Sequence, residues 1–86
     1  MLLPGKGHED CRLLDAGQGM AYRFTADAPL EFNVHRHDGE TVISPVQIAR
    51  AKALDAIFDA DVRAEWCWMW VNRGREPVRL EVKVGV

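Results

Sequence analysis

The sequence predicts an all-β domain, an antiparallel β-sandwich of six to seven short strands with Greek-key-like connections, and three observations carry that prediction. Apolar and polar residues alternate with a period close to two along most of the chain. Turn residues recur between the alternating runs, at Asp27-Ala28-Pro29, Asp38-Gly39 and from Asn72 to Pro77. At 86 residues the chain is one domain, and a chain of this size hides only about 60–65% of the surface its unfolded form exposes, so its core is small. A small barrel is the neighbouring alternative.

The elements follow in order. Residues 1–9, with Pro4, Gly5 and Gly7, read as a flexible N-terminal segment, and residues 10–86 as the domain. "GMAYRFTA" sets Met20, Tyr22 and Phe24 on one face and Ala21, Arg23 and Thr25 on the other, and Asp27 to Pro29 ends that strand. "LEFNVHRH" sends Leu30, Phe32 and Val34 inward and Glu31, Asn33, His35 and His37 outward, with Arg36 closing the apolar row. Asp38-Gly39 is the signal of a two-residue type I′ turn, and it places His37 opposite Glu40, Arg36 opposite Thr41, His35 opposite Val42 and Val34 opposite Ile43. In "TVISPVQI", Pro45 cannot donate to a ladder, so the strand is an edge there, bulges or changes partner. The Ala-rich run from Ala49 to Phe58 is compatible with a helix, but the reading favours a strand near Leu54 to Asp59. "EWCWMWVN" is apolar on both faces, Trp66, Trp68 and Trp70 on one, Cys67, Met69 and Val71 on the other, as in a central strand. The chain closes on a strand with Val78, Leu80, Val82, Val84 and Val86 on one face. The expected core is Leu13, Met20, Tyr22, Phe24, Leu30, Phe32, Val34, Ile43, Phe58, Leu80, Val82 and Val84, joined by one face of the tryptophan strand.

Composition narrows the partners. A formal net charge of -2 with scattered arginines makes no electrostatic case for nucleic acid or an anionic membrane, and no apolar run is long enough for membrane insertion. Cys11 and Cys67 are too far apart for a Cys-x-x-Cys redox motif or a zinc knuckle, so they are either bridged or two inert buried thiols. "MLLPGKGHED" lacks the pattern of a signal peptide, which leaves a cytoplasmic protein or one whose leader has been removed.

The early Cys11, the glycine-led strand "GMAYRFTA", the strand and glycine turn of "LEFNVHRHDGE", and the late aromatic strand "WCWMWVN" together resemble the GOLD-domain family. These are small β-sandwiches of luminal cargo receptors in the secretory pathway and of other secreted or periplasmic proteins. The resemblance spans Asp10 to Val86 and implies a Cys11–Cys67 disulfide, an oxidising compartment and a non-catalytic binding role. The chain differs from the disulfide-bearing members in its three tryptophans, its longer spacing from Cys67 to Asn72 and its His-x-His.

Two candidate sites emerge. His35 and His37, at i and i+2 on a strand, leave one face about 7 Å apart at Cα, within reach of one copper or zinc ion. A third ligand is required; Glu40 across the hairpin is the first candidate, with Asp38, His8 and Met69 behind it. The plain alternative is an ordinary polar face. Trp66, Trp68 and Trp70 are either core or, if a disulfide between facing sheets claims the Cys67 side, an outward platform beside Asn33, His35 and His37 for a ligand or partner. Enzymatic chemistry has little support: Ser44 precedes Pro45 with no nucleophile elbow, Cys67 lies in an apolar row, and Asp38 and Glu40 are turn carboxylates. The expectation is a binding domain that uses the face of His35 and His37 to hold an unknown protein or small ligand. A copper or zinc protein and a structural domain forming a homodimer are the alternatives.

Overall fold

Five antiparallel strands form among the described residues, and two of them are far longer than the alternation pattern leads one to expect. The computed structural model describes residues 1–85, so the expected apolar position Val86 lies outside the described residues. Strand β1 spans Gly7–Leu14, β2 Gly19–Asp38, β3 Thr41–Asp59, β4 Ala64–Val71 and β5 Leu80–Val84, with no helix among the described residues. The order is β1-β4-β2-β3, and β5 pairs with β2.

The count is five instead of six or seven because the expected break at Asp27 to Pro29 is a register slip inside one strand. One edge of β2 pairs with β3; the other pairs with β5 over Tyr22–Ala26 and with β4 over Glu31–His35. Pro29 falls in the gap between those partners, where its missing N–H costs no ladder bond. Against β3 the register slips there, from Thr25↔Ala53 to Leu30↔Ala51. Two further slips follow, from Leu30↔Ala51 to Phe32↔Ile48 and from Val34↔Val46 to Arg36↔Ile43, and the last accommodates Pro45 as a bulge. The Ala-rich region continues β3 as a strand, as favoured, and does not form a helix.

These slips let the long β2–β3 hairpin fold over, so that its inner faces meet. Phe24 in the first half of β2 lies 4.9 Å from Phe32 in the second half and 5.5 Å from Trp70, measured between ring centroids. Phe58 on β3 closes against Trp66 at 4.8 Å. All three tryptophans are therefore core, and Arg36 caps one end of it, its guanidinium 5.6 Å from the Trp66 ring centroid. Most of the expected core is buried or packs against it, but Leu13 is 61% exposed and its neighbour Leu14 is buried instead. The strand parity explains the exchange: Leu13 shares the face of Cys11, which looks away from the core.

The N-terminal segment expected to be flexible is built into the fold. Leu2 is buried and bridges Val78, and β1 already begins at Gly7. Asn72, fully buried, holds this corner: its Nδ2 donates to the Leu2 and Glu76 carbonyls at 2.9 and 2.8 Å, and its Oδ1 accepts the Gly74 N–H at 2.9 Å.

The hairpin turn is one residue later than expected. Asp38 pairs with Thr41, His37 with Val42 and Arg36 with Ile43, leaving Gly39 and Glu40 as the turn. Gly39 has φ 61° and, among the described residues, no non-glycine residue has positive φ, which matches a type II′ turn and not type I′. Each partner moves by two positions, so every side chain keeps its face. Replacing Gly39 with Val should cost roughly 1–2 kcal/mol, because a β-branched residue resists this φ, although no neighbouring atom obstructs a Cβ. Chemical denaturation checks this, and an unchanged midpoint would remove the turn assignment.

Burial pushes the Tyr22 phenol above its usual range. Its neutral form is thus favoured by the folded state. The associated stability is complete below the unfolded phenol's ordinary value of about 10 and is lost as pH rises through the higher folded value. Tyr22 is the one tyrosine in the chain, so tyrosinate absorbance should show a raised titration in the folded protein. Tyr22→Phe should remove that part of the alkaline destabilisation, and a normal phenol titration in folded protein would contradict the assignment.

Candidate functional site

The face of the β1-β4-β2-β3 sheet opposite the tryptophans carries the candidate site, and strand parity puts both cysteines and both histidines of interest on it. Antiparallel pairing sets Cys11 directly opposite Cys67 and Cys67 directly opposite His35, so these residues form one row across three hydrogen-bonded strands. The Cα atoms of Cys11 and Cys67 are 4.0 Å apart and their sulfurs are bonded. The disulfide is present, but it joins neighbours within one sheet and does not span two facing sheets. That placement overturns the expected coupling: the bridge occupies the outer face while Trp66, Trp68 and Trp70 fill the core, and they are unavailable as a ligand platform.

His35 is only 5% exposed although it points away from the core, because Cys67, Glu9, Asn33 and His37 crowd it. Its Nδ1 meets Asn33 Oδ1 at 2.6 Å, and since an amide oxygen only accepts, Nδ1 carries the proton. The opposite ring nitrogen, Nε2, lies 3.3 Å from Glu9 Oε2. The ring centroid of His37 is 5.2 Å from that of His35, edge to face, and His37 itself is exposed.

The expected metal trio of His35, His37 and Glu40 is not assembled. Glu40 sits in the turn, past the pair His37↔Val42, and is exposed. Among the described residues, the groups with metal-ligating distances are Glu9, His35 and Cys67, and Cys11, Cys67 and Glu65, each with ligand atoms within 4.8 Å of one another. His8 lies on the other face, stacked on Trp70 at 5.8 Å. Met69 is on the outer face, half-buried between Glu9 and Asn33 in the register.

Glu9 is the site residue the alternation pattern missed. It lies two positions before Cys11 and so shares its face; once Cys11 pairs with Cys67, antiparallel register carries Glu9 to the Met69–Asn33 row beside His35. The sequence holds the signal, but only conditionally on that pairing. Beyond the disulfide row, the same face ends in two exposed apolar side chains, Leu13 opposite Glu65 and Val42 opposite His37, exposed by 61% and 54%.

Neither the protein-family models nor the curated proteins compared with the sequence match it. The functional reading therefore rests on the chemistry of this face.

Proposed function

We propose that the chain is a non-catalytic, GOLD-like β-sandwich domain of a secreted or periplasmic protein, and that it binds a partner protein through the outer face at His37. The fold-over of the β2–β3 hairpin, which sets Phe24 against Phe32 and Trp70, supports the sandwich reading. The disulfide supports an oxidising compartment. The observation that carries the binding role is the makeup of one rigid surface. Leu13 and Val42 stand exposed at its two flanks, with polar His37 and Glu65 as their register partners. An apolar contact beside polar groups, on paired strands of which β1 and β4 are joined by the disulfide, gives a partner burial at small ordering cost.

Leu13→Glu with Val42→Glu should leave the melting temperature within a few degrees of wild type, because both side chains are exposed, yet abolish capture of the partner from secretory or periplasmic extract. Capture that survives both changes rejects the surface. The rival reading, copper or zinc on the oxidised protein through His35 and His37, predicts shifts of both imidazole NMR signals at micromolar metal. Absence of those shifts ends it. A dimerising role predicts a sedimenting dimer that the same glutamates dissociate.

A further inference from the structure

The bonded sulfurs sit inside a set of side chains that, with the bridge opened, has the composition of a zinc site. Cys11, Cys67 and His35 share one row across β1, β4 and β2, with Cys11 opposite Cys67 and Cys67 opposite His35 in the backbone ladder. A carboxylate stands at each side: Glu9 within 4.8 Å of Cys67 Sγ and a His35 ring nitrogen, Glu65 within 4.8 Å of both sulfurs. Bond lengths of about 2.3 Å to sulfur and about 2.0–2.2 Å to nitrogen and oxygen give a tetrahedral zinc site ligand-to-ligand separations of roughly 3.3–3.8 Å. His35 Nε2 and Glu9 Oε2 already stand 3.3 Å apart.

The orientation of His35 fits as well. Asn33 holds Nδ1–H at 2.6 Å, which in the neutral ring leaves the Nε2 lone pair facing Glu9. A proton on Nε2 makes this contact an ion pair with Glu9; in its place a cation can join the same nitrogen and carboxylate beside the sulfur. Metal-bound histidines commonly give their other N–H to just such an oxygen.

We propose that the reduced protein binds a divalent cation of the zinc class through Cys11, Cys67, His35 and one carboxylate, Glu9 before Glu65. Disulfide and metal are then alternative clamps on the same two strands. Two thiolates and an imidazole select zinc over the hard cations magnesium and calcium. The site does not depend on the partner surface proposed above; either can fail alone.

The chemistry balances. A dithiol delivers two electrons and two protons to the Cys11–Cys67 bond; that bond breaks, two thiols form, and the reductant closes its own disulfide. The cation then displaces the two thiol protons into solvent as two thiolate–metal bonds form. In reverse, exchange with a small disulfide and uptake of two protons re-forms the bridge, yields two small thiols and releases the cation. The fold would thus be clamped by metal under reducing conditions and by the covalent bond under oxidising ones.

The test uses the full chain, reduced anaerobically with a water-soluble phosphine and titrated with cobalt(II) and then zinc. One equivalent of cobalt should produce thiolate-to-metal charge-transfer absorption and the strong visible bands of a tetrahedral site, and zinc should bleach both. Zinc in large excess over its dissociation constant should raise the melting temperature of the reduced chain by roughly 10 °C or more. If the reduced, metal-free chain is unfolded, zinc should restore the near-ultraviolet dichroism of the buried tryptophans. The oxidised chain should do none of this. His35→Ala, confirmed as folded in its oxidised form, should bind cobalt at least roughly tenfold more weakly. Glu9→Gln should weaken binding more than Glu65→Gln; equal and full binding by both would remove the carboxylate from the ligand set. No charge-transfer band, no thermal shift or refolding with zinc, or wild-type affinity in His35→Ala overturns the proposal.

Discussion

Reduction of the Cys11–Cys67 bridge in metal-free buffer should lower the melting temperature by roughly 15–30 °C, the largest effect expected from any single bond in this protein. The bridge spans 56 residues of an 86-residue chain, and closing a loop of that length removes enough unfolded-state entropy to be worth about 4 kcal/mol. Small domains have little stability to spare, so a loss of this size brings the reduced chain close to unfolding near body temperature. Cys11→Ala with Cys67→Ala should reproduce the shift, since it removes the same cross-link without a reductant. Calorimetry of oxidised and reduced protein measures it. Coincident melts, or two free thiols by mass in air-oxidised protein, would show that the bridge does not form.

Trp68→Ala should destabilise the domain by about 3–5 kcal/mol. Trp68 is fully buried and lies within 5.9 Å of both Tyr22 and Phe58, ring centroid to centroid, so its removal opens a cavity between the two halves of the folded-over hairpin. Trp68→Phe should cost much less. It keeps an aromatic ring in place and deletes an indole N–H that has no hydrogen-bond partner. Denaturant midpoints for the two variants should separate clearly; a Trp68→Ala protein as stable as wild type would mean that the tryptophan row does not form the core.

Much of this architecture is legible residue by residue. The alternation through Met20, Tyr22 and Phe24 and again through Leu30, Phe32 and Val34 places each of these side chains on the core side, where the structure has them buried or packed against it. What the same residues hide is that both runs belong to one strand. A proline between two alternating segments looks like an end, yet Pro29 interrupts nothing because β2 changes partner there from β5 to β4. The turn at Gly39 is legible to within one residue. Asp38 could have taken the positive φ that a type I′ turn demands, and instead Gly39 alone takes it.

The sequence by itself determined an antiparallel all-β chain, the face of each side chain along its alternating strands, and the presence of His35 and His37 on a common face. Period-two alternation is local, and local sterics enforce it. Only the tertiary structure decided which face of "WCWMWV" is inside, since both are apolar and alternation cannot rank them. The folded-over first half of β2 settles it by bringing Tyr22 and Phe24 against the tryptophans. Strand order likewise decided that His35 meets Glu9 and the disulfide instead of Glu40, because neighbours across a sheet are set by which strands pair, and that choice is made by the packing of the whole chain.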